Sequence, residues 1–308
     1  MRAKLLFAFA AVYTIWGSTY LAIRFSVETL PPLLMAGSRF VIAGALLLAW
    51  TLFRGKGTPT RRDWITGLVS GALLLLGGNG AVVWAEQQVP SGIAALLVAV
   101  VPLWMVLLDW LRPGGRRPAG LVFAGLGLGL AGLALLVGPG ALKGTTSAVQ
   151  PLGATMLILA SLSWALGSLY TQRAPRPSSG TAGSGTQMVA GGACLLLVSV
   201  FAGEPSHLDL AHASARSLLA FAYLVTFGSL VGFTAYIYLL AHTSAAKAAT
   251  YAYVNPVVAV FLGWALASER VTARTIVAAV VILAGVAIIT VARDAPRVAQ
   301  RDDGRAAA

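Results

Sequence analysis

A chain built from apolar runs of about 20 residues, joined by short connectors, has few folds open to it. At a helical rise of about 1.5 Å per residue, such a run crosses the roughly 30 Å hydrocarbon layer of a membrane. In lipid the backbone must satisfy its own polar groups, which an α-helix does within a single segment. Ten such runs occur here, at 5–23, 33–53, 64–86, 91–110, 119–138, 151–171, 181–202, 217–241, 245–267 and 273–292. Most of the Pro, Arg and Lys residues lie in the connectors. Hydrophobic residues make up 58% of the chain and charged residues 10%, against about 25% charged in an average soluble domain. The sequence therefore predicts an all-α integral membrane protein of ten transmembrane helices, followed by a polar tail at 293–308 that is expected to be disordered. The start, "MRAKLLFAFAAV", has the basic end and apolar core of a signal peptide. Its apolar run continues through Trp16 to Ile23, however, and is read as the first span.

Charge sets the direction. Lys and Arg favour the cytoplasmic side of membrane proteins. With the N-terminus inside and ten crossings, 16 of the 22 basic residues fall on the cytoplasmic side. The other six are Arg24, Arg39, Lys143, Arg216, Arg270 and Arg274. This places both termini in the cytoplasm. The formal charge of +12 is scattered between apolar runs instead of forming one soluble face, so no nucleic-acid partner is expected. The lone Cys194 excludes a disulfide framework within one chain.

The two halves echo each other. "GSTY" at 17–20 returns as "GSLY" at 167–170, "AVVPLW" around Pro102 as "YVNPVV" around Pro256, and "LAGLA" at 130–134 as "LAGVA" at 283–287. The offsets are 150, 154 and 153, in the same order. The alternative is chance similarity between Gly- and Ala-rich helices. Read as a repeat, 5–138 and 151–292 each hold five spans. Five is odd, so the second copy enters the membrane from the opposite side. Such inverted repeats are a common plan of secondary transporters, with the substrate held near the midplane between the halves.

Several stretches also carry a family resemblance. "YTIWGSTYLAIR" with "LPPLLMAGSRF", "GNGAVVWAEQQVPSGIAALLVAVVPL", "TYAYVNPVVAV" and "ERVTARTIVAAVVILAGVAII" together resemble the EamA family of the drug/metabolite transporter superfamily. The resemblance implies ten helices, cytoplasmic termini and export of amino acids or other small metabolites. Leu266 to Arg270 has no good counterpart in the first half, which reads "LRPGGRR", so no symmetric role follows for Glu269.

The polar groups inside apolar runs are the candidates for function. Lys247, Tyr251 and Asn255 are four residues apart and share a helix face. Asn255 is ten residues into its span, about 15 Å deep, where an amide facing lipid without partners would cost several kcal/mol. Pro256 lacks an N–H and so frees the carbonyl of Ala252 from its usual helical donor. The aligned positions of the first half are Ile93, Leu97 and Val101, so packing alone does not require this stripe. Asn255 and Tyr251 are read as substrate-facing, against an Asn that bonds a neighbouring helix and a Tyr that packs as core. Lys247 is read as a headgroup contact.

Asn79 lies among glycines that permit close packing or a bend, and shares a face with Glu86. Glu86 is either a solvated rim residue or a gating or coupling carboxylate, and Pro102 and Pro256 are the other gating candidates. Trp16, Trp104 and Trp164 are too deep for an interfacial belt. They are candidate cavity walls, against a reading as core. Trp50, Trp64 and Trp110 are read as interface anchors. Asp109 is expected to pair with Arg112, and Arg39 either to snorkel or to pair with Glu28.

No enzyme motif is present. "GPGALKGTT" lacks the spacing of a phosphate-binding loop, and His207, His212 and His242 lie in or near loops. The expectation is therefore a transporter, not an enzyme, without catalytic residues, cofactor or metal. It works by alternating access, with the third, fourth, eighth and ninth helices around a central cavity. Its partners are a small-molecule substrate and the lipid bilayer, with a monomer as the simplest state, and its location is the bacterial inner membrane. The alternatives are a passive channel and a broad drug efflux carrier.

Overall fold

The structure, a computed structural model, describes residues 2–111, 120–137, 150–243, 248–249 and 251–294. Among them it contains helices and turns and no strand. In chain order the helices are α1 (Arg2–Ser26), α2 (Pro32–Phe53), α3 (Arg61–Ala85), α4 (Ser91–Leu111), α5 (Gly120–Val137), α6 (Pro151–Arg173), α7 (Gly180–Phe201), α8 (Ala215–His242), α9 (Tyr251–Ala267) and α10 (Ala273–Asp294). Among the described residues, seven of these are long and apolar enough to cross a membrane: α1 to α4 and α6 to α8. Shorter apolar stretches lie in the other three, at Gly120–Gly129, Val254–Ala267 and Ala273–Gly285. Lys247 and Arg112 lie outside the described residues, as does the expected disordered tail from 295 onward.

Helix starts follow local chemistry. Thr60 and Asp63 form a reciprocal capping box at the start of α3, with the Thr60 N–H donating to Asp63 Oδ2 at 2.7 Å and the Asp63 N–H donating to Thr60 Oγ1 at 3.2 Å. Ser179 and Ser214 cap α7 and α8 by accepting from the N–H groups of Ala182 and Ser217.

Two helices instead take a carboxylate from a distant loop. Glu204 accepts from the N–H groups of Leu33 and Leu34 at 3.2 and 2.7 Å. Glu269 accepts from Ser91 N–H and Oγ at 2.8 Å and from Gly92 N–H at 3.2 Å. An anion at these positions satisfies free donors and complements the helix dipole. Glu269 thus has a structural task, the capping of α4. Glu269→Ala is expected to cost about 1–2 kcal/mol. That loss reads out as a fall of a few degrees in the thermal midpoint of detergent-purified protein.

Small residues set the closest helix contacts. The pairs α2/α7 and α5/α10 pack along their lengths, α3 lies against α6 and α7, α1 against α8 and α9, and α4 against α6 and α9. At the α3/α7 crossing, a Cβ on Gly71 would stand 2.6 Å from the Gln187 carbonyl oxygen, and one on Gly191 would stand 2.7 Å from the Gly71 oxygen. Only glycine lets these two backbones meet. The outer surface is apolar, with Leu46, Phe53, Phe201, Phe261 and Trp264 all more than half exposed, as lipid-facing side chains are. Trp50 and Trp64 are exposed near one end of the bundle.

Two helices share an irregularity. Ala72–Gly80 of α3 and Leu224–Phe233 of α8 are wound as π-helix. Such segments are rare and gather at functional sites. Both segments line the cavity described next.

Candidate functional site

A narrow, mostly apolar cavity lies between the two halves of the chain. Its open volume is about 70 Å³, room for a few water molecules. The lining runs along α1 from Trp16 to Ile23 and along α3 from Leu75 to Val82. Arg39 and Phe40 of α2, Val98 of α4, Ala160 and Trp164 of α6, Gly228 and Phe233 of α8, and Tyr251 and Asn255 of α9 complete it. The wall differs from the expected four-helix lining: α1 supplies a whole side, whereas α4 contributes Val98. The reason is packing. α1 lies in the groove between α8 and α9, which turns its Trp16–Ile23 face inward.

Four aromatic rings cluster at the cavity, three of them, Trp16, Trp164 and Tyr251, in its lining and the fourth, Tyr236, packed against all three. Trp16 and Trp164 meet edge-to-face with centroids 5.4 Å apart. Tyr236 lies 4.9 Å from Trp16 and 5.5 Å from Trp164, and Tyr251 lies 5.3 Å from Trp16 and 5.7 Å from Tyr236. The polar handles of both tryptophans are used. The Trp16 indole N–H donates to the Gly228 carbonyl at 3.2 Å, and that of Trp164 to the Tyr236 hydroxyl at 3.2 Å. Ser168 holds the same hydroxyl at 2.7 Å. Each tryptophan rests on a glycine of the opposite half. A Cβ on Gly232 would stand 2.5 Å from Trp16, and one on Gly78 would stand 2.8 Å from Trp164. Gly78 and Gly232 are 154 residues apart and both lie in π-wound segments.

Five of the predicted residues, Trp16, Asn79, Trp164, Tyr251 and Asn255, therefore meet in one cavity. Asn255, 3% exposed, is assigned with its amide nitrogen donating to the carbonyls of Tyr13 at 3.1 Å and Tyr251 at 3.3 Å. It braces α9 against α1 while forming part of the wall. Trp104 stands apart from the lining, and its indole N–H donates to Ser161 Oγ at 2.8 Å. Pro102 is buried just beyond a break in α4 at residues 99 and 100, and Pro256 is buried inside α9.

Two residues carry more than sequence reasoning assigned them. Arg39 neither snorkels nor reaches Glu28, which instead faces Arg216 at 3.7 Å. Arg39 is 3% exposed, donates from Nη2 to Asn79 Oδ1 at 2.7 Å, and lies over the Phe40 ring. Asn79 and the Phe40 ring hold it inward, in the cavity wall. Glu86 is fully buried, so the rim reading gives way. Its backbone carbonyl accepts from Arg24 Nη1 at 2.8 Å. Asp109 accepts from Arg173 Nη2 at 3.3 Å, across to α6. Tyr236 was missed altogether. Its one signal was a phenol deep in an apolar span, opposite an aligned Val82.

Among the described residues, an all-helical bundle with an apolar exterior and a central cavity walled by aromatic rings, amides and one arginine defines a multi-pass membrane protein. Comparison with known proteins gives the family. The EamA-like transporter family matches residues 3–138 and 151–291, and the chain belongs to it. Family and relatives are transporters, not enzymes. The chain is 43% identical over 287 residues to YedA of Escherichia coli (strain K12), described as an uncharacterized inner membrane transporter, covering 93% of this chain and 90% of that one. It is 26% identical to the uncharacterized transporter YoaV of Bacillus subtilis (strain 168), covering 92% and 95%. A solved crystal structure superposes with a TM-score of 0.65 at 20% identity, covering 96% of this chain and 99% of that one. That likeness speaks to the fold.

Proposed function

We propose that the protein is a secondary transporter that exports amino acids or similar small amphipathic metabolites across the bacterial inner membrane by alternating access. In this reading all ten helices cross the bilayer as two inverted five-helix repeats, 5–138 and 151–292, with both termini in the cytoplasm. The observation that carries it is the seam. Trp16 and Trp164, one and three residues before the matched Gly-Ser pairs of the two halves, meet edge-to-face, and each rests on a glycine of the other half, Gly232 and Gly78.

Helix packing supports the same symmetry. The contacts of α1 with α8 and α9 have counterparts in those of α6 with α3 and α4, while α2/α7 and α5/α10 pair matched helices directly. The two separate family matches fall on the two proposed repeats. The relative described as an inner membrane transporter supports the location.

The cavity is narrow, so loading a solute would call for the helices around it to move apart. Helix rearrangement at the π-wound segments, which carry Gly78 and Gly232 beneath the two tryptophans, would move the aromatic cluster and widen the cavity. Proteoliposome uptake with a panel of labelled amino acids, with and without a pH gradient, tests the proposal. Saturable uptake supports a carrier, whereas linear flux with single-channel currents contradicts it. Asn255→Ala is expected to lower flux several-fold, by removing two hydrogen bonds worth about 1 kcal/mol each, with protein still in the membrane. Unchanged flux would remove Asn255 from the site.

A further inference from the structure

Arg39 is a buried cation with donors to spare. Its Nη2 is taken by Asn79, but Nε and Nη1 have no hydrogen-bond partner, although the side chain is 3% exposed and forms part of the cavity wall. Buried guanidinium donors are costly unless something accepts from them. The nearby acid, Glu86, does not accept. Both its carboxylate oxygens are buried without a hydrogen-bond partner, while lying within electrostatic reach of Arg39, Arg24 and Glu269. Glu86 thus leaves the remaining donors of Arg39 unoccupied. Asn79 and the Phe40 ring, 4.4 Å from the guanidinium carbon, fix the group in place.

We infer that Arg39, oriented by Asn79, docks the carboxylate of the transported solute, and that the solute's apolar body packs toward Trp16 and Trp164. An anionic oxygen is the group that matches unoccupied guanidinium donors, and Arg39 is the one Lys or Arg among the lining residues, enough for a single carboxylate. This inference rests on the transporter reading and names the solute class, small organic acids or zwitterions with one carboxylate.

The test compares each amino acid of the panel with its amide and its decarboxylated amine. Two readouts are used: ligand-dependent thermal stabilisation of purified protein, and competition for uptake in proteoliposomes. Wild-type protein is expected to prefer the acid at least about tenfold, since a guanidinium hydrogen bond to a carboxylate is stronger than one to a neutral amide. Arg39→Gln is expected to erase that preference, and Arg39→Lys to keep part of it. Equal treatment of acid and amide by wild-type protein, which requires no variant to fold, would overturn the inference. So would an acid preference that survives Arg39→Gln, or the absence of stabilisation by every acid tried. Arg39-dependent acid binding without flux would sink the transporter reading and leave this inference standing. Saturable flux without acid preference would do the reverse.

Discussion

Gly191→Leu is expected to leave little or no folded protein in the membrane. Gly191 and Gly71 hold α7 and α3 in backbone contact. A Cβ at Gly191 would lie 2.7, 2.9 and 2.9 Å from the carbonyl oxygen, carbonyl carbon and Cα of Gly71. These are main-chain atoms, so no side chain can rotate away and the helices must part. Overpacking a core typically costs about 1–3 kcal/mol, and more where backbone must move. Parting α3 from α7 also shifts Gly78 and Asn79, which carry one side of the cavity. Gly180, at the start of α7, has nothing within 4 Å of an added Cβ, so Gly180→Ala should behave as wild type. Size-exclusion profiles of fluorescently tagged variants would show the contrast. A normal, monodisperse peak for Gly191→Leu would mean that this crossing is looser than described.

Trp16→Ala and Trp164→Ala are expected to cut maximal flux alike, by about tenfold or more, the equivalent of about 1.4 kcal/mol. Each removes one ring from a cluster in which every aromatic pair contributes about 0.5–1.5 kcal/mol beyond its buried area. Trp164→Phe keeps a six-membered ring while losing the pyrrole ring and the N–H donated to Tyr236, so it should fall between. Flux measured at saturation and normalised to protein in the liposomes checks this. Loss of flux in one alanine variant with the other unaffected would mean that the two halves do not contribute equivalent walls.

Much of this arrangement was legible because lipid imposes a simple rule on sequence. Apolar length set the predicted spans, and each coincides with a helix to within a few residues, except at the start of the ninth, where 244–247 and 250 lie outside the described residues. Amides, indoles and a phenol at mid-depth stood out against apolar surroundings, and that is why Trp16, Asn79, Trp164, Tyr251 and Asn255, which share one cavity, could be named from sequence. Contacts between helices were not legible in the same way. Nothing near Arg39 in sequence announces Asn79, which is 40 residues away on another helix. The π-wound segments of α3 and α8 shift helical phase, so counting along a regular helix misplaces the residues beyond them. Glu86 follows such a segment and proved buried. Tyr236 follows the other and proved central. Trp104 stood out for its depth alone, but its helix turns it toward Ser161 and away from the cavity.

Counterflow is the most direct measurement of the central claim, that solute passes through one seam cavity open to one side at a time. Liposomes holding the protein would be preloaded with an unlabelled amino acid that the uptake panel identifies, then diluted into a trace of the same labelled compound. Alternating access predicts that label transiently accumulates inside above its equilibrium level, and that Trp16→Ala and Trp164→Ala abolish the overshoot. A monotonic approach to equilibrium, with wild-type flux proportional to concentration, would contradict it.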